Sequence, residues 1–445
     1  MTRPSPSGPP SVHDVVGVGF GPSNLALAVA LREHNEGARP GDDVTSVFLE
    51  RQERFGWHRD ILIDGATMQV SFLKDLATMR NPISRYGFLS YLHHKGRLVD
   101  FINHREFFPS RVEFHDYLEW VAAEFAEEVS YGEEVVEIRP VHRGDEIPFL
   151  EVVSRNTRAH GTTTVRTARN VVLATGLVPC LPPDVTESKR VWHSSTLLSS
   201  LDTLAKSEVR RFVVVGSGQS AAEAAEFLHR DFPGAEVCAV FERYGYSPAD
   251  DSPYANRIFD PKAVDLYFEA DGDLKRRLLE YHRNTNYSVA DLDLIEELYR
   301  RAYQEMVRGE ERLRILNVSR VVRVEDTGDH VDVTVRNLAS GETVDLRADA
   351  VVYATGYRRP DTGPLLAGVE EHVEHDERGL PRVARDYRVV CAERVRAGLY
   401  LQGGTEHTHG IASSLLSLSA VRAGEIRDSV LERRHGSPVE AAAPR

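Results

Sequence analysis

The stretch DVVGVGFGPSNLALAVALREH, residues 14–34, runs an apolar strand, Val15 to Val18, into Gly17, Gly19 and Gly21. An apolar helix follows from about Ser23. After the polar connector EHNEGARPGDD (33–43), VTSVFLE (44–50) reads as a second strand ending on Glu50. Strand, glycine turn, helix, strand and acid is the order of a Rossmann unit. The glycines let backbone N–H groups approach a pyrophosphate at a helix N-terminus, where the helix dipole favours negative charge. Glu50 is expected to accept a hydrogen bond from a ribose hydroxyl. It stands 29 residues beyond Gly21, against the usual twenty or so, because the polar connector lengthens the loop.

The same order returns in RRFVVVGSGQSAAEAAEFLHRDFPGAEVCAVFER (210–243). Gly216 and Gly218 make the turn, and Ala221 takes the third small position. The second strand, AEVCAVFER, is expected to end on Glu242 and Arg243. An arginine there can meet a 2′-phosphate, which points to NADPH over NADH. Gln219 and Ser220 are placed to touch the phosphates or ribose. One glycine turn alone is weak evidence, because such turns are common; two complete copies in strand–turn–helix context are much stronger.

Two further segments, ARNVVLATGLVP (168–179) and ADAVVYATGYRRP (348–360), are buried strands ending in Ala-Thr-Gly. Each follows a stretch rich in β-formers and reads as an antiparallel meander feeding a parallel strand back into its sheet. Residues 255–311 carry Leu, Ile and Tyr at three- and four-residue spacing and read as helical. The expected fold class is α/β: two Rossmann-like dinucleotide-binding domains with a helical substrate-binding insertion. The expected division is a tail at 1–12, an FAD domain at 13–205 and 355–430, and an NADPH domain at 206–254 and 312–354. The helical segment at 255–311 and a tail at 431–445 complete it.

The chain has 445 residues, 41% hydrophobic and 27% charged, enough to bury proper cores. A net charge of −14 argues against nucleic acid or an anionic membrane as the main partner, without excluding a local basic pocket. Cys180, Cys238 and Cys391 match no zinc or redox spacing and suit a reducing compartment. No window approaches the roughly 20 apolar residues of a membrane helix. The polar start MTRPSPSGPPSVHD does not resemble a signal sequence. The expectation is a cytoplasmic protein.

Two dinucleotide sites in one chain suggest a flavin enzyme, with FAD on the first unit, NADPH on the second and a hydride crossing between them. Disulfide reductases of this kind need a cysteine pair near the flavin, and none is encoded. Reaction of reduced flavin with O2 is the remaining expectation. The acidic run AAEFAEE (122–128) reads as a solvated helix face, and His93 and His94 as ordinary helix-surface residues. EHTHG (406–410) has a metal-like spacing, but three ligands on one short loop make a poor closed site, and no metal is expected. The patch SFLKDLATMRNPISRYGFLSYL (71–92) reads mostly as amphipathic helix and turn, interrupted by Lys74.

The chain resembles the class B flavin-dependent N-hydroxylating monooxygenases, and within them the L-ornithine N5-monooxygenases of hydroxamate siderophore biosynthesis. The resemblance runs over roughly residues 13–425. It rests on GVGFGPSNLALAVAL, MQVSFLKDLATMRNP, RVEFHDYLEW, VVGSGQSAAE, DDSPYANRIFDP, NTNYSV, YATGY and HTHGIASSLLSLSA, in that order. DLATMRNP and NTNYSV favour ornithine over lysine. The resemblance implies that Lys74 supplies a cation for the substrate carboxylate. Asn256 and Asn286 add hydrogen bonds, and Ser417 approaches the terminal amine.

For FAD it implies Gly17, Gly19, Gly21, Pro22, Glu50, Trp57, His58, Gln69, Arg111, Thr408 and Leu415, with Gln69 also beside the substrate. A salt bridge from Arg111 to Glu113 or Asp116 is the alternative for that residue. For NADPH it implies Gly216, Gly218, Gln219, Ser220, Arg243, Thr355 and Tyr357. No side chain acts as a catalytic group: a flavin C4a-hydroperoxide is implied to carry the oxygen transfer. The resemblance also implies a homo-oligomer, a tetramer. Rival readings are the same chemistry on L-lysine or a diamine, a Baeyer–Villiger or sulfur-oxidising flavoprotein, and a non-catalytic redox sensor. KRVWHSSTLL (189–198) keeps only His193 of the Baeyer–Villiger signature.

Overall fold

A computed structural model describes residues 12–159, 161–205 and 208–434, and the counts below refer to those residues. The first strand, Val12–Val18, pairs in parallel with Ser46–Glu50 on one side and Thr163–Leu173 on the other. Past His13 and Asp14 it is buried on both faces and apolar from Val15 to Val18; Val15 and Val16 are fully buried. The helix Pro22–Gly37 starts with proline in its first turn, where the missing N–H costs nothing. Its residues Asn24 to Leu31 are all buried, because the sheet covers one side and the final helix, Ser419–Arg434, the other.

Among the described residues this sheet has seven strands. Val129–Tyr131 extends it beyond Ser46–Glu50, and Gly398–Leu401 pairs in parallel with Thr163–Leu173. Strands Glu133–Arg143, Glu146–Asn156 and Thr163–Leu173 form the expected antiparallel meander. A second, all-parallel sheet runs in the order Leu313–Leu316, Glu236–Val240, Arg211–Val215, Ala350–Tyr353, Val191–His193. Its meander, Ser319–Ala348, stands apart as a three-stranded antiparallel sheet. A two-stranded bridge, Val178–Pro179 against Tyr357–Arg358, ties together the exits of the two Ala-Thr-Gly strands.

Both glycine turns press on those Ala-Thr-Gly segments. Gly19 has φ +84°, and a Cβ there would lie 2.4 Å from the Ala174 carbonyl oxygen. Gly216 has φ +137°, and its Cβ would meet the Ala354 carbonyl oxygen at the same 2.4 Å. Each unit therefore closes by the same contact, glycine Cα against the carbonyl that ends the parallel strand.

Several boundaries differ from expectation. Val191–His193, allotted to the FAD domain by the division at 205, hydrogen-bonds into the second sheet beside Ala350–Tyr353. Leu292–Arg308, allotted to the insertion, is the crossover helix between the parallel strands Glu236–Val240 and Leu313–Leu316; its Leu298 is buried in the second unit's core. Parallel neighbours need such a crossover. Val12 opens the first strand rather than closing a tail. Residues 431–434 complete the last helix, where Arg434 donates to the carbonyls of Gly41, Asp42 and Asp43. Residues 1–11 and 435–445 of the two expected tails lie outside the described residues. The strand expected to reach Glu242 and Arg243 stops at Val240. The helix expected to carry the acidic run 122–128 stops at Ala123, and a turn that buries Phe125 takes over.

Gly19→Ala is expected to destabilise the protein by about 2 kcal/mol or more, because the residue is both left-handed and in contact with a backbone carbonyl. Gly176→Ala, also left-handed (φ +74°) but with nothing within 4 Å, is expected to cost about 1 kcal/mol. Denaturant unfolding of the two variants checks the difference; equal losses would remove the close contact as the cause.

Candidate active site

Lys74 is positioned by its neighbour. Asp75, buried, accepts from the backbone N–H of Ala77 and Thr78 through Oδ1, and from Phe88 N and Thr78 Oγ1 through Oδ2. Tyr117 accepts from Leu76 N at 3.2 Å and donates to Tyr86 O at 2.8 Å. These bonds hold 71–87 as a series of turns, and helix begins only at Phe88. The Lys74 side chain is half-buried, with Nζ 5.8 Å from the centroid of the Phe259 ring. Among the described residues it has no ion-pair or hydrogen-bond partner for Nζ. Burial pushes its pKa down, opposed by the charge of Asp260.

Phe259 ends the short helix Ala255–Phe259, which also carries Asn256. The Asn256 amide donates to Asp251 O at 2.7 Å. Phe259 packs on Ala412 and Leu418, on either side of Ser417. Ser417 Oγ is buried and has no partner. Lys74, Asn256 and Ser417 thus come from three distant segments that meet around Phe259. Asn286 does not join them through any recorded contact; it is exposed on the wall of a large cleft.

That cleft, about 1240 Å3 in volume, is lined by Gly216, Gly218, Gln219, Ser220, Arg243, Thr355 and Tyr357, and by Asn286 and Leu415. Arg320, Arg323, Arg358 and Arg359 add positive charge to its walls. Arg243 donates to Ser288 O at 2.8 Å, while Arg320 takes both oxygens of Glu242 at 2.7 and 3.1 Å. Thr355 donates to Cys180 O. The Tyr357 hydroxyl is buried and unpartnered. A ring chain links Trp57 to His58 (4.9 Å), His58 to Tyr357 (6.0 Å) and Tyr357 to His193 (5.1 Å), so the two units face each other through aromatic edges.

At the first unit, Glu50 is buried, and its oxygens accept from Phe20 N and Gln52 N, each at 2.8 Å. A carboxylate has lone pairs to spare for a ribose hydroxyl. Gly21 has nothing within 4 Å of a notional Cβ, so open space lies before Pro22 and the helix start. Thr408 donates to Thr405 O at 3.1 Å.

Arg422 was not foreseen. Fully buried, it donates to Ser413 O (2.6 Å) and to Ser23 Oγ (3.2 Å), and among the described residues it has no carboxylate partner. A buried cation one hydrogen bond behind a helix N-terminus fits an anionic diphosphate at that turn. The cleft of the second unit, with its arginines and the glycine turn in its wall, fits a second dinucleotide.

Arg111 is paired differently from the alternative weighed above. Its guanidinium binds both oxygens of Glu223, at 2.8 and 2.9 Å. Arg97 takes Glu113 and Asp116 instead. Gln69 is exposed and donates to Asp291 Oδ2 at 2.8 Å. The signal for Glu223 was its place one turn after Gln219 on the same helix face; nothing local pointed to its partner. Among the described residues no group of three His, Cys, Asp or Glu could hold a metal. His407 Nε2 donates to Pro381 O and His409 Nε2 to Arg385 O.

Residues 11–359 match the family described as L-lysine 6-monooxygenase/L-ornithine 5-monooxygenase, and the chain belongs to that family. It is 40% identical to an L-ornithine N(5)-monooxygenase of Pseudomonas aeruginosa, over 97% of this chain and 96% of that one. It superposes on the ornithine N-hydroxylase of Kutzneria sp. 744, described with reduced FAD, NADP+ and L-ornithine. The TM-score is 0.90 with 48% identity, over 96% of this chain and 100% of that one. The L-lysine 6-monooxygenase of Pseudomonas syringae gives 0.82 and 32%, over 95% and 99%.

His409, beside Thr408, is buried against Tyr387, ring centroids 4.1 Å apart, and burial pushes its pKa down to about 3. The folded state therefore resists protonation that the unfolded chain accepts near pH 6.5. Its share of stability is complete above that pH and is lost as pH falls toward 3, at about 1.4 kcal/mol per unit. Urea unfolding between pH 7 and 5 is expected to show a shallower loss of stability in His409→Gln than in the parent protein; parallel slopes would count against it.

Proposed function

We infer that the chain is an FAD- and NADPH-dependent monooxygenase that uses O2 to hydroxylate the side-chain amine of L-ornithine. The products are N5-hydroxy-L-ornithine, water and NADP+, serving hydroxamate siderophore or related natural-product biosynthesis. The carrying observation is Lys74: a half-buried cation with no ion-pair partner among the described residues, held in the turns that Asp75 fixes and set over Phe259, on the segment that bears Asn256 and against the one that bears Ser417.

FAD is assigned to the first unit, at Gly17, Gly19, Gly21, Pro22 and Glu50, with Trp57, His58, Gln69, Arg111, Thr408 and Leu415 around it. NADPH is assigned to the cleft of the second. When bound, the flavin supplies hydride acceptance from NADPH and activation of O2. The chain's own residues bind, orient and dry the reactants. Lys74 meets the α-carboxylate, where a charge-assisted hydrogen bond in a partly desolvated place is strong. Asn256 and Asn286 add polar contacts at the head of the amino acid. Ser417 Oγ, buried and unpartnered, offers a hydrogen bond to the far nitrogen. The substrate ammonium ordinarily loses its proton near pH ~10.4, as lysine does, and a dry pocket favours the neutral, nucleophilic amine.

Reach sets specificity. With the head held at Lys74, one additional methylene misplaces the reacting nitrogen. A diamine has no carboxylate and would leave Lys74 facing another cation. The higher identity to the ornithine hydroxylase than to the lysine enzyme supports the same choice. We further propose a homo-tetramer in the cytoplasm. The exposed apolar side chains of Val99, Ile102 and Phe107 support association, and no described helix is long and apolar enough to cross a membrane.

Purified holoenzyme supplied with ornithine, lysine and putrescine side by side is expected to couple NADPH oxidation to hydroxylamine formation with ornithine alone. A preparation whose NADPH consumption ignores all three would be a redox sensor instead. Lys74→Met keeps the apolar stem against Phe259 and removes the charge. It is expected to raise the ornithine KM roughly 30-fold, about 2 kcal/mol, with FAD content unchanged. An unaltered KM would sink the pocket assignment.

A further inference from the structure

The buried pair Arg111–Glu223 joins the two Rossmann-like units, and its glutamate has no part in the chemistry described so far. Arg111 is the first residue of the helix Arg111–Ala123 in the first unit. Its own N–H donates to Ala66 O at 2.8 Å, and its guanidinium also reaches Ile61 O and Thr67 O at 3.5 and 3.4 Å. The arginine is therefore fixed on the first unit before it meets its partner. Glu223 lies one turn into the second unit's helix Gln219–Asp231, which begins at the glycine turn lining the large cleft. The two side chains are 10% and 6% exposed, and the bonds are bidentate, a geometry that fixes orientation as well as distance.

The same carboxylate accepts from Gln219 Nε2 at 2.9 Å. Gln219 in turn exchanges two hydrogen bonds with Asp291: Nε2 to Oδ2 at 2.9 Å and Asp291 N to Oε1 at 2.8 Å. Asp291 precedes the helix Leu292–Arg308, yet its carboxylate does not cap that helix; it receives Gln219 and Gln69 instead. Glu223 thus sits where the first unit, the second unit and the end of the helical segment converge.

Adhesion is supplied elsewhere. Ile63 and Ala66 of the first unit are buried in the second unit's core with Ala221 and Ala225, and Arg230 adds an exposed bond to Asp64 O. Apolar contacts are non-directional. A buried ion pair often adds little net stability over an apolar replacement but does impose one geometry. A rigid helix carries that geometry over a single turn, from Glu223 to Gln219 and Ser220.

We propose that Glu223 is a positioning residue: through Arg111 it sets the placement of the second unit's glycine turn relative to the first unit, and hence the distance a hydride must cross. The proposal rests on the FAD and NADPH assignment above. Glu223 itself is assigned to neither cofactor, and it acts through Arg111 and Gln219, which are. A glutamine at 223 would keep the shape but turn an N–H2 toward the guanidinium in either orientation, donor against donor.

The test uses the holoenzyme of Glu223→Gln and of Glu223→Asp, which keeps the buried charge opposite Arg111 but shortens its reach by one methylene should the first change fold poorly. Rapid-mixing spectroscopy is expected to show flavin reduction by NADPH slowed at least about tenfold in both. Reduction by dithionite, which does not use the second unit, is expected at the parent rate. FAD content should be unchanged and the ornithine KM within about twofold. Amide hydrogen exchange, independent of activity, is expected to rise at 61–67 and 219–223. Reduction by NADPH within twofold of the parent overturns the proposal. Loss of FAD in both variants also overturns it, because the pair would then hold the first site itself. A parent enzyme that does not oxidise NADPH would refute the functional reading instead, and the exchange measurement would still decide whether the pair holds the units together.

Discussion

A single steric demand underlies both halves of this molecule. At Gly19 and at Gly216 the turn after the first strand passes so close to the carbonyl of an Ala-Thr-Gly segment that a Cβ would sit 2.4 Å from the oxygen. The contact draws the returning parallel strand, Thr163–Leu173 or Ala350–Tyr353, beside the first one. It also aims the helix that follows, so its unpaired N–H groups face open space. Those two helix ends suit anionic groups, and the bridge between Val178–Pro179 and Tyr357–Arg358 makes the exits of the two Ala-Thr-Gly strands neighbours.

Charge is then distributed against the chain's overall acidity. The protein carries −14, yet among the described residues Lys74 stands half-buried with no ion-pair partner, Arg422 is fully buried among neutral acceptors, and a cluster of arginines lines the large cleft. Cations left unpaired in partly dry places are costly unless an anion arrives. A carboxylate at Lys74 and a diphosphate before Ser23 would each answer one of them.

The two units meet through directional contacts laid over an apolar seam. Ile63 and Ala66 supply the seam. Arg111, Glu223, Gln219, Asp291 and Gln69 supply the directions. Arg111 illustrates why local reasoning stalls there. Glu113 and Asp116 are its sequence neighbours, but its side chain leaves the helix on the side facing the second unit, and Arg97 is free to take both acids. Val191–His193 and Leu292–Arg308 make the same point at the level of elements: each changes unit because a sheet edge or a crossover needs it.

What the sequence determined by itself is whatever depends on neighbours along the chain. Glycine spacing, unbroken apolar strands, the proline at Pro22 and the meanders before each Ala-Thr-Gly were readable as two Rossmann-like units. The eight quoted motifs pointed to the family that the comparisons then established. What only the tertiary structure decided is whatever depends on residues far apart in the chain. Lys74 meets Phe259, and Phe259 meets Leu418; Arg111 finds Glu223, and Arg422 lies behind Ser23. Periodicity and turn chemistry act over a few residues, whereas burial and charge pairing are settled only when the whole core has closed, so the partners of buried polar groups cannot be read from local pattern.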